Sequence, residues 1–298
     1  MNESPAIKSI VPWFGSKRRL ASTIVEQLGP HRMYLEPFCG SLAVLGNKTS
    51  SNIEIVNDLN GDLINLARCI QHPRHGPALY KRLRRTLMSD VLFEESAMYI
   101  REFTQIWDGP EGGDEQPERA FHYFVYAWLG MNGTLGTTKA GYAYCVRYTA
   151  NGGSPGKRFR GAIHSIPWWR KRLDQVCILR RDAFVLLDRI DDSPTTAIYC
   201  DPPYIEKSAA YVHDFKPRDH ERLAKALSRF KSARVVVSYY DHPDLKAFYS
   251  GWTRLNIDIS KALAQSGRRD GKADVRAKEV LLINGSLNKS LVTDGMLF

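Results

Sequence analysis

The chain has 298 residues, of which 43% are hydrophobic and 25% charged. This globular composition, enough for one large domain or two, excludes a disordered or collagen-like chain, and no apolar run approaches the ~18 residues of a membrane helix. Lys and Arg number 42 against 32 Asp and Glu, a net charge of +10 that permits a polyanionic partner. Five scattered cysteines without a CxxC pair predict neither a disulfide framework nor a structural metal site. With no basic-then-apolar leader at the N-terminus, a cytoplasmic protein is expected.

In chain order, short runs rich in Val, Ile or Tyr predict buried strands at 34–38, 53–57, 176–180, 196–200, 234–238 and 279–284. Helical patterns lie between several of them, at 17–28, 62–70 and 219–230. This alternation predicts βαβ units, hence a parallel sheet covered on both faces. Ligands of such sheets bind beyond the carboxyl ends of the strands, so the residues just after each run carry the most functional interest. Residues 67–164 interrupt the pattern. Helices are predicted at 78–106 and 117–130, joined by the acidic linker 108–118, and a basic hairpin or loop at 132–161. The expected organisation is a catalytic domain made of 1–66 and 165–298, with 67–164 inserted. A polar, basic loop is expected at 265–276, either solvated or touching a polyanionic partner.

Asp201-Pro202-Pro203-Tyr204 follows the run TAIYC directly. A conjugated exocyclic amine is a poor nucleophile, because its lone pair is delocalised into the ring. A carboxylate and a backbone carbonyl fixed by proline can accept its two N–H bonds and draw the nitrogen toward tetrahedral geometry, and an aromatic ring can stack on the base. The same four residues also suit a plain strand-ending turn. Gly40, after the first run, permits close backbone approach to a ligand. Asp58, after the second, suits ribose hydroxyls or a helix N-cap, a role open to Asn60 as well. From Lys139 to Arg172 there are eight basic residues and no acidic one, interleaved with Tyr and Trp, which favours a nucleic-acid surface. Cys200 ends a buried strand and reads as a core thiol. The stretch Ser238–Asp241 follows the fifth run at the same edge, where it suits either a wall of the ligand pocket or a plain turn. His72 and His75 flank Pro73 in a predicted turn.

Five blocks in order, PWFGSK (12–17), EPFCG (36–40), NDLNGDLIN (57–65), DPPY (201–204) and EVLLIN (279–284), resemble the Dam-like group of DNA adenine N6-methyltransferases. The resemblance implies a Rossmann-like, seven-stranded S-adenosylmethionine-dependent sheet with an inserted helical and hairpin recognition lobe for double-stranded DNA. It implies that Asp201, Pro202, Pro203, Tyr204 and Lys17 are catalytic. It places Trp13, Lys17, Glu36, Phe38 and Gly40 at the cofactor, together with Asp58, Asp182, Phe184 and Asp201. Asn132, Lys139, Arg147, Lys157, Arg158 and Arg160 would face DNA, and no metal is implied. Two departures stand out: Leu42 occupies the place of a second loop glycine, and Ala183 separates Asp182 from Phe184. An RNA adenine methyltransferase and a catalytically dead DNA-binding fold are the alternatives. A protein-glutamine methyltransferase usually carries Asn at position 201. A restriction endonuclease partner would be a separate chain.

Overall fold

The computed structural model describes residues 7–13, 15–104, 115–130, 154–205, 215–259 and 277–288. Seven strands form one sheet: β1 (Met33–Glu36), β2 (Ile53–Asn57), β3 (Val176–Leu179), β4 (Thr196–Cys200), β5 (Arg234–Tyr240), β6 (Thr253–Ile259) and β7 (Ala277–Ile283). Their order is β3-β2-β1-β4-β5-β7-β6. The first five are parallel, and β7 pairs antiparallel with both β5 and β6. The chain leaves β1 toward β2 and β3 and returns on its other side at β4, which makes β1/β4 the switch point where a crevice opens.

Alternation along the strands builds two cores. Tyr34, Ala197 and Tyr199 point into one, Leu35, Ile198 and Cys200 into the other. The first core receives α1 (Ala21–Leu28) and the helices α2 (Gly61–Gln71), α3 (His75–Arg85), α4 (Asp90–Thr104), α5 (Pro117–Leu129) and α6 (Pro155–Leu173). The second is covered by α7 (Ala183–Asp188), α8 (Pro217–Leu227) and α9 (Leu245–Phe248). Among the described residues, no helix is long and apolar enough to cross a membrane.

Three sequence expectations need correction. The single helical pattern at 78–106 is two helices, α3 and α4. The break falls at Thr86–Ser89, where Leu87 is 77% exposed and the Ser89 hydroxyl accepts from the Leu92 amide to start α4. The end of the predicted basic loop, from Pro155 onward, is the first turn of α6. Ser154 caps that helix by accepting from the Lys157 amide, and Pro155 follows at the first helical position. Strand β6 was not anticipated. Its segment TRLNIDI alternates with charged and polar residues because it lies at the sheet edge. The predicted loop at 265–276 lies outside the described residues, and the proposed boundaries 66/67 and 164/165 fall inside α2 and α6.

Candidate active site

The parallel strands discharge their C-terminal ends into one cavity of about 230 Å³. β1 leads into Glu36, Phe38 and Gly40, β2 into Asp58, β3 into Asp182 and Phe184, and β4 into Asp201 and Pro203. Trp13 and Lys17 close the near side, and every one of these residues lines the cavity. All nine positions assigned to a cofactor on sequence grounds are thus brought together by chain segments far apart in sequence.

Two local conformations shape the floor. Gly40 has φ +43°, and a Cβ there would meet the Trp13 indole at 3.3 Å, so backbone and ring are in near contact. Leu42 has φ +60°, the left-handed conformation that glycine favours, yet its side chain is 1% exposed in the core. The turn therefore keeps the shape of a second glycine while packing a leucine, a backbone cost of about 1–2 kcal/mol offset by apolar burial. The Asp58 carboxylate fixes the floor from below. Its Oδ2 accepts the Gly40 amide at 2.9 Å and its Oδ1 the Asn60 amide at 2.9 Å. The cap of α2 is Asn60, whose Oδ1 accepts from the Leu63 amide, which settles the choice left open by the sequence. Asp182 caps α7 by accepting the Phe184 amide at 2.7 Å, so the intervening Ala183 still leaves both residues on the cavity.

The mouth is an ion-paired cluster. Lys17 lies in a short 3₁₀ helix (Lys17–Arg19) and is 6% exposed. Its Nζ donates to the Gly15 carbonyl at 2.8 Å and pairs with Asp201 Oδ2 at 2.9 Å and Glu279 Oε1 at 3.2 Å. The other oxygen of Asp201 accepts from Ser238 Oγ at 2.8 Å. Burial pushes the Asp201 pKa up, and the neighbouring Lys17 ammonium opposes the rise. The same lysine sits 4.9 Å from the centroid of the Tyr204 ring, a cation–π contact. Tyr204 is 3% exposed, its hydroxyl donates to Glu279 Oε1 at 2.6 Å, and its ring meets Tyr240 edge-on at 4.3 Å. Asp201 and Pro203 line the cavity, whereas Pro202 and Tyr204 are not among its lining residues.

Glu36 is fully enclosed. Burial raises its pKa from 4.5 to about 8, against the pull of the Tyr34 hydroxyl that donates to Oε2 at 2.9 Å, so at neutral pH the carboxyl is mostly uncharged. Cys200 is wholly buried and its thiol pKa is driven upward by burial, which removes the thiolate a nucleophile needs.

Glu279, Phe215 and Arg222 were not given roles from the sequence. Glu279 lay in a matched block but reaches the site only because β7 pairs with β5, a long-range fact. Phe215 meets Phe38 edge-on at 5.9 Å and lies parallel to Phe184 at 6.4 Å, while Arg222 covers the Phe184 ring at 3.8 Å. Aromatic spacing could have suggested this wall, but nothing local singles it out.

The expected DNA-facing residues divide. Asn132, Lys139 and Arg147 lie outside the described residues. Lys157 is exposed in the first turn of α6 and Arg158 is half-buried. The Arg160 guanidinium donates to the carbonyls of Arg84 and Thr86, both at 3.0 Å, and so closes the end of α3. Arg172, counted with the basic cluster, is instead locked in a buried pair with Glu54 at 2.5 Å, where Lys48 also binds. A charge window without acids said nothing of an acid 118 residues away in sequence. Away from the cavity, His72, His75 and Glu115 bring potential ligand atoms within 4.8 Å of one another. The His72 Nδ1 accepts from the amides of Arg74 and His75, both at 3.2 Å, which places its proton on Nε2 and leaves no lone pair for a metal.

Comparison with known proteins bears on this geometry. The profile of the D12 class N6 adenine-specific DNA methyltransferases matches residues 13–262. The Retron Ec67 DNA adenine methylase of Escherichia coli is 26% identical over 291 residues, covering 94% of this chain and 92% of that protein. The DNA N-6-adenine-methyltransferase of Escherichia phage P1 is 24% identical over 256 residues. That match covers 81% of this chain but only 31% of the much longer phage protein. Among solved structures, the rRNA methyltransferase aviRa of Streptomyces viridochromogenes aligns with a TM-score of 0.40 and 15% identity, covering 94% of this chain and 91% of that one. A likeness that weak carries no functional argument.

Proposed function

Because the chain belongs to the D12 class of N6 adenine-specific DNA methyltransferases, we propose that it methylates the N6 amino group of an adenine swung out of duplex DNA, with S-adenosylmethionine as donor. The observation that carries the proposal is the meeting of Asp58, Asp182, Phe184 and Asp201, from the ends of three different strands, around one cavity. Its donor set fits an adenosyl group. A carboxylate already fixed by two amides suits hydroxyls, aromatic walls suit a flat ring, and Gly40 gives close approach beside Trp13. When bound, S-adenosylmethionine supplies a methyl group activated by its sulfonium.

The chain's own residues position the acceptor. An amino N–H needs an acceptor, and both oxygens of Asp201 are engaged, one by Ser238 and one by the Lys17 ammonium. The ammonium makes the kind of contact that an adenine amino group would make. An entering amine takes over Oδ2, and Lys17 stays on Glu279 and the Gly15 carbonyl. The Pro202 carbonyl accepts the second N–H. This grip leaves the nitrogen lone pair free for the methyl group that the donor would supply, and the amine's surplus proton passes to Asp201, whose burial favours its neutral form. Orientation is the main contribution, with no covalent enzyme intermediate. Base eversion is required because the amine cannot be reached inside the stack. For Tyr204 to stack on the base, its ring must leave the packing against Tyr240. The recognition part is assigned to α3–α5, the start of α6 and the segment between α5 and α6.

The test is product analysis with labelled donor on duplex DNA, single-stranded DNA and RNA. N6-methyladenine in duplex DNA is expected. Label confined to RNA, to a pyrimidine or to protein would overturn the proposal.

A further inference from the structure

The third helix has a surplus of charge that the fold does not use. α3, HGPALYKRLRR, carries Lys81, Arg82, Arg84 and Arg85 in its second half and no acidic residue. Leu79 and Leu83 bury its inner face. Arg82 is paired with Glu118 through both guanidinium nitrogens, at 2.5 and 2.8 Å. Arg84 lies 5.7 Å from the Tyr80 ring. Lys81 and Arg85 are exposed, one turn apart on the same face, and make no ion pair among the described residues. A helix C-terminus carries only about half a negative charge, so this many cations exceed what the dipole can balance.

The packing fixes which end of the molecule this face occupies. α2 starts beside Asp58 at the cavity and runs away from it, and Gln71 at its far end binds the carbonyls of Leu173 and Val176, below the sheet. α3 starts there, with a Cβ on Gly76 only 3.2 Å from the Arg170 side chain, and climbs antiparallel to α6 until Arg160 clasps its end. Glu118, the partner of Arg82, adjoins Arg119, which pairs with Asp62 in the first turn of α2. Lys81 and Arg85 therefore stand at the level of the cavity mouth. Gly156, the residue before Lys157, adjoins Met88 just past the end of α3, since a Cβ on it would touch Met88 Sδ at 3.8 Å.

We propose that the C-terminal half of α3, through Lys81 and Arg85, is a docking surface for the phosphodiester backbone of the DNA whose adenine enters the cavity, with Lys157 completing the rim. The inference rests on the methyltransferase reading above. Two exposed cations at adjacent turns give phosphate contacts without base readout, so they contribute affinity and not sequence preference.

The test is duplex-oligonucleotide binding by the full chain, followed by fluorescence anisotropy over a potassium chloride series. The slope of log K against log salt is expected to flatten by about 1.8 in Lys81→Ala/Arg85→Ala, close to 0.9 per lost phosphate contact. Arg74→Ala, at the opposite end of α3, is expected to leave the slope unchanged. An unaltered slope in the double variant overturns the inference, and so does an equal flattening in Arg74→Ala, which would mean diffuse charge. A parent chain that methylates DNA while the double variant keeps its slope loses only this surface. A parent chain that does not methylate DNA loses the reading beneath it.

Discussion

The C-terminal ends of the parallel strands and the α2–α6 lobe are made of the same chain but reveal themselves differently. At the strand ends the candidate side chains follow short apolar runs, so strand prediction alone aims Asp58 and Asp201 at one place, where Asp182 also lies. In the lobe, basic residues close in sequence part company in space. Arg172 is buried on Glu54, Arg160 closes a helix end, and the exposed cations Lys81 and Arg85 belong to a helix outside the basic window. Local order transmits function where the backbone itself points the side chain. Charge density does not, because a distant acid can consume it.

That contrast can be broken most forcefully at Arg172. Arg172→Met removes two guanidinium hydrogen bonds from Glu54 but leaves it paired with Lys48, and we expect a loss of about 1.5–3 kcal/mol in urea-induced unfolding, with the salt slope of DNA binding unchanged. A stable variant with a flattened slope would return Arg172 to the DNA surface.

Next in size is Glu36. Its pKa rises from 4.5 unfolded to about 8 folded, so folding takes up a proton between those values and stability falls as pH rises through that window. Glu36→Gln keeps an acceptor for Tyr34 and cannot ionise. The two proteins should melt together below pH 4.5 and diverge in favour of the variant toward pH 8. Parallel melting curves across the range would contradict a buried neutral carboxyl.

Lys17 tests the mouth itself. Burial raises the Asp201 pKa and Lys17 restrains it, so Lys17→Met should shift the acid limb of kcat/KM to higher pH. A limb that stays in place would separate Lys17 from Asp201. Smallest is Leu42→Gly. Relief of the left-handed backbone should recover about 1–2 kcal/mol against about 2–5 kcal/mol of lost core packing, a net loss visible as a modest drop in melting temperature.

Much of the fold was legible because it is periodic. Strands β1 to β5 and β7 were located within a few residues, and their alternation with helices implied the parallel sheet. β6 escaped because an edge strand keeps polar residues, and the split between α3 and α4 escaped because helical periodicity continues across it. At the site, Asp58 and Asp201 were readable from position alone. Glu279 was not, since it meets Lys17 and Tyr204 only through antiparallel pairing of β7. The wall of Phe215 and Arg222 depends in the same way on α8 packing beside α7.

The central claim is that Asp201 grips the reacting amine. Asp201→Asn keeps the size of the side chain and removes its charge and second acceptor. Single-turnover methylation of duplex DNA should fall by about 10²–10⁴, while S-adenosylmethionine binding by calorimetry changes no more than a few-fold. Methylation at the parental rate in that variant would contradict the account.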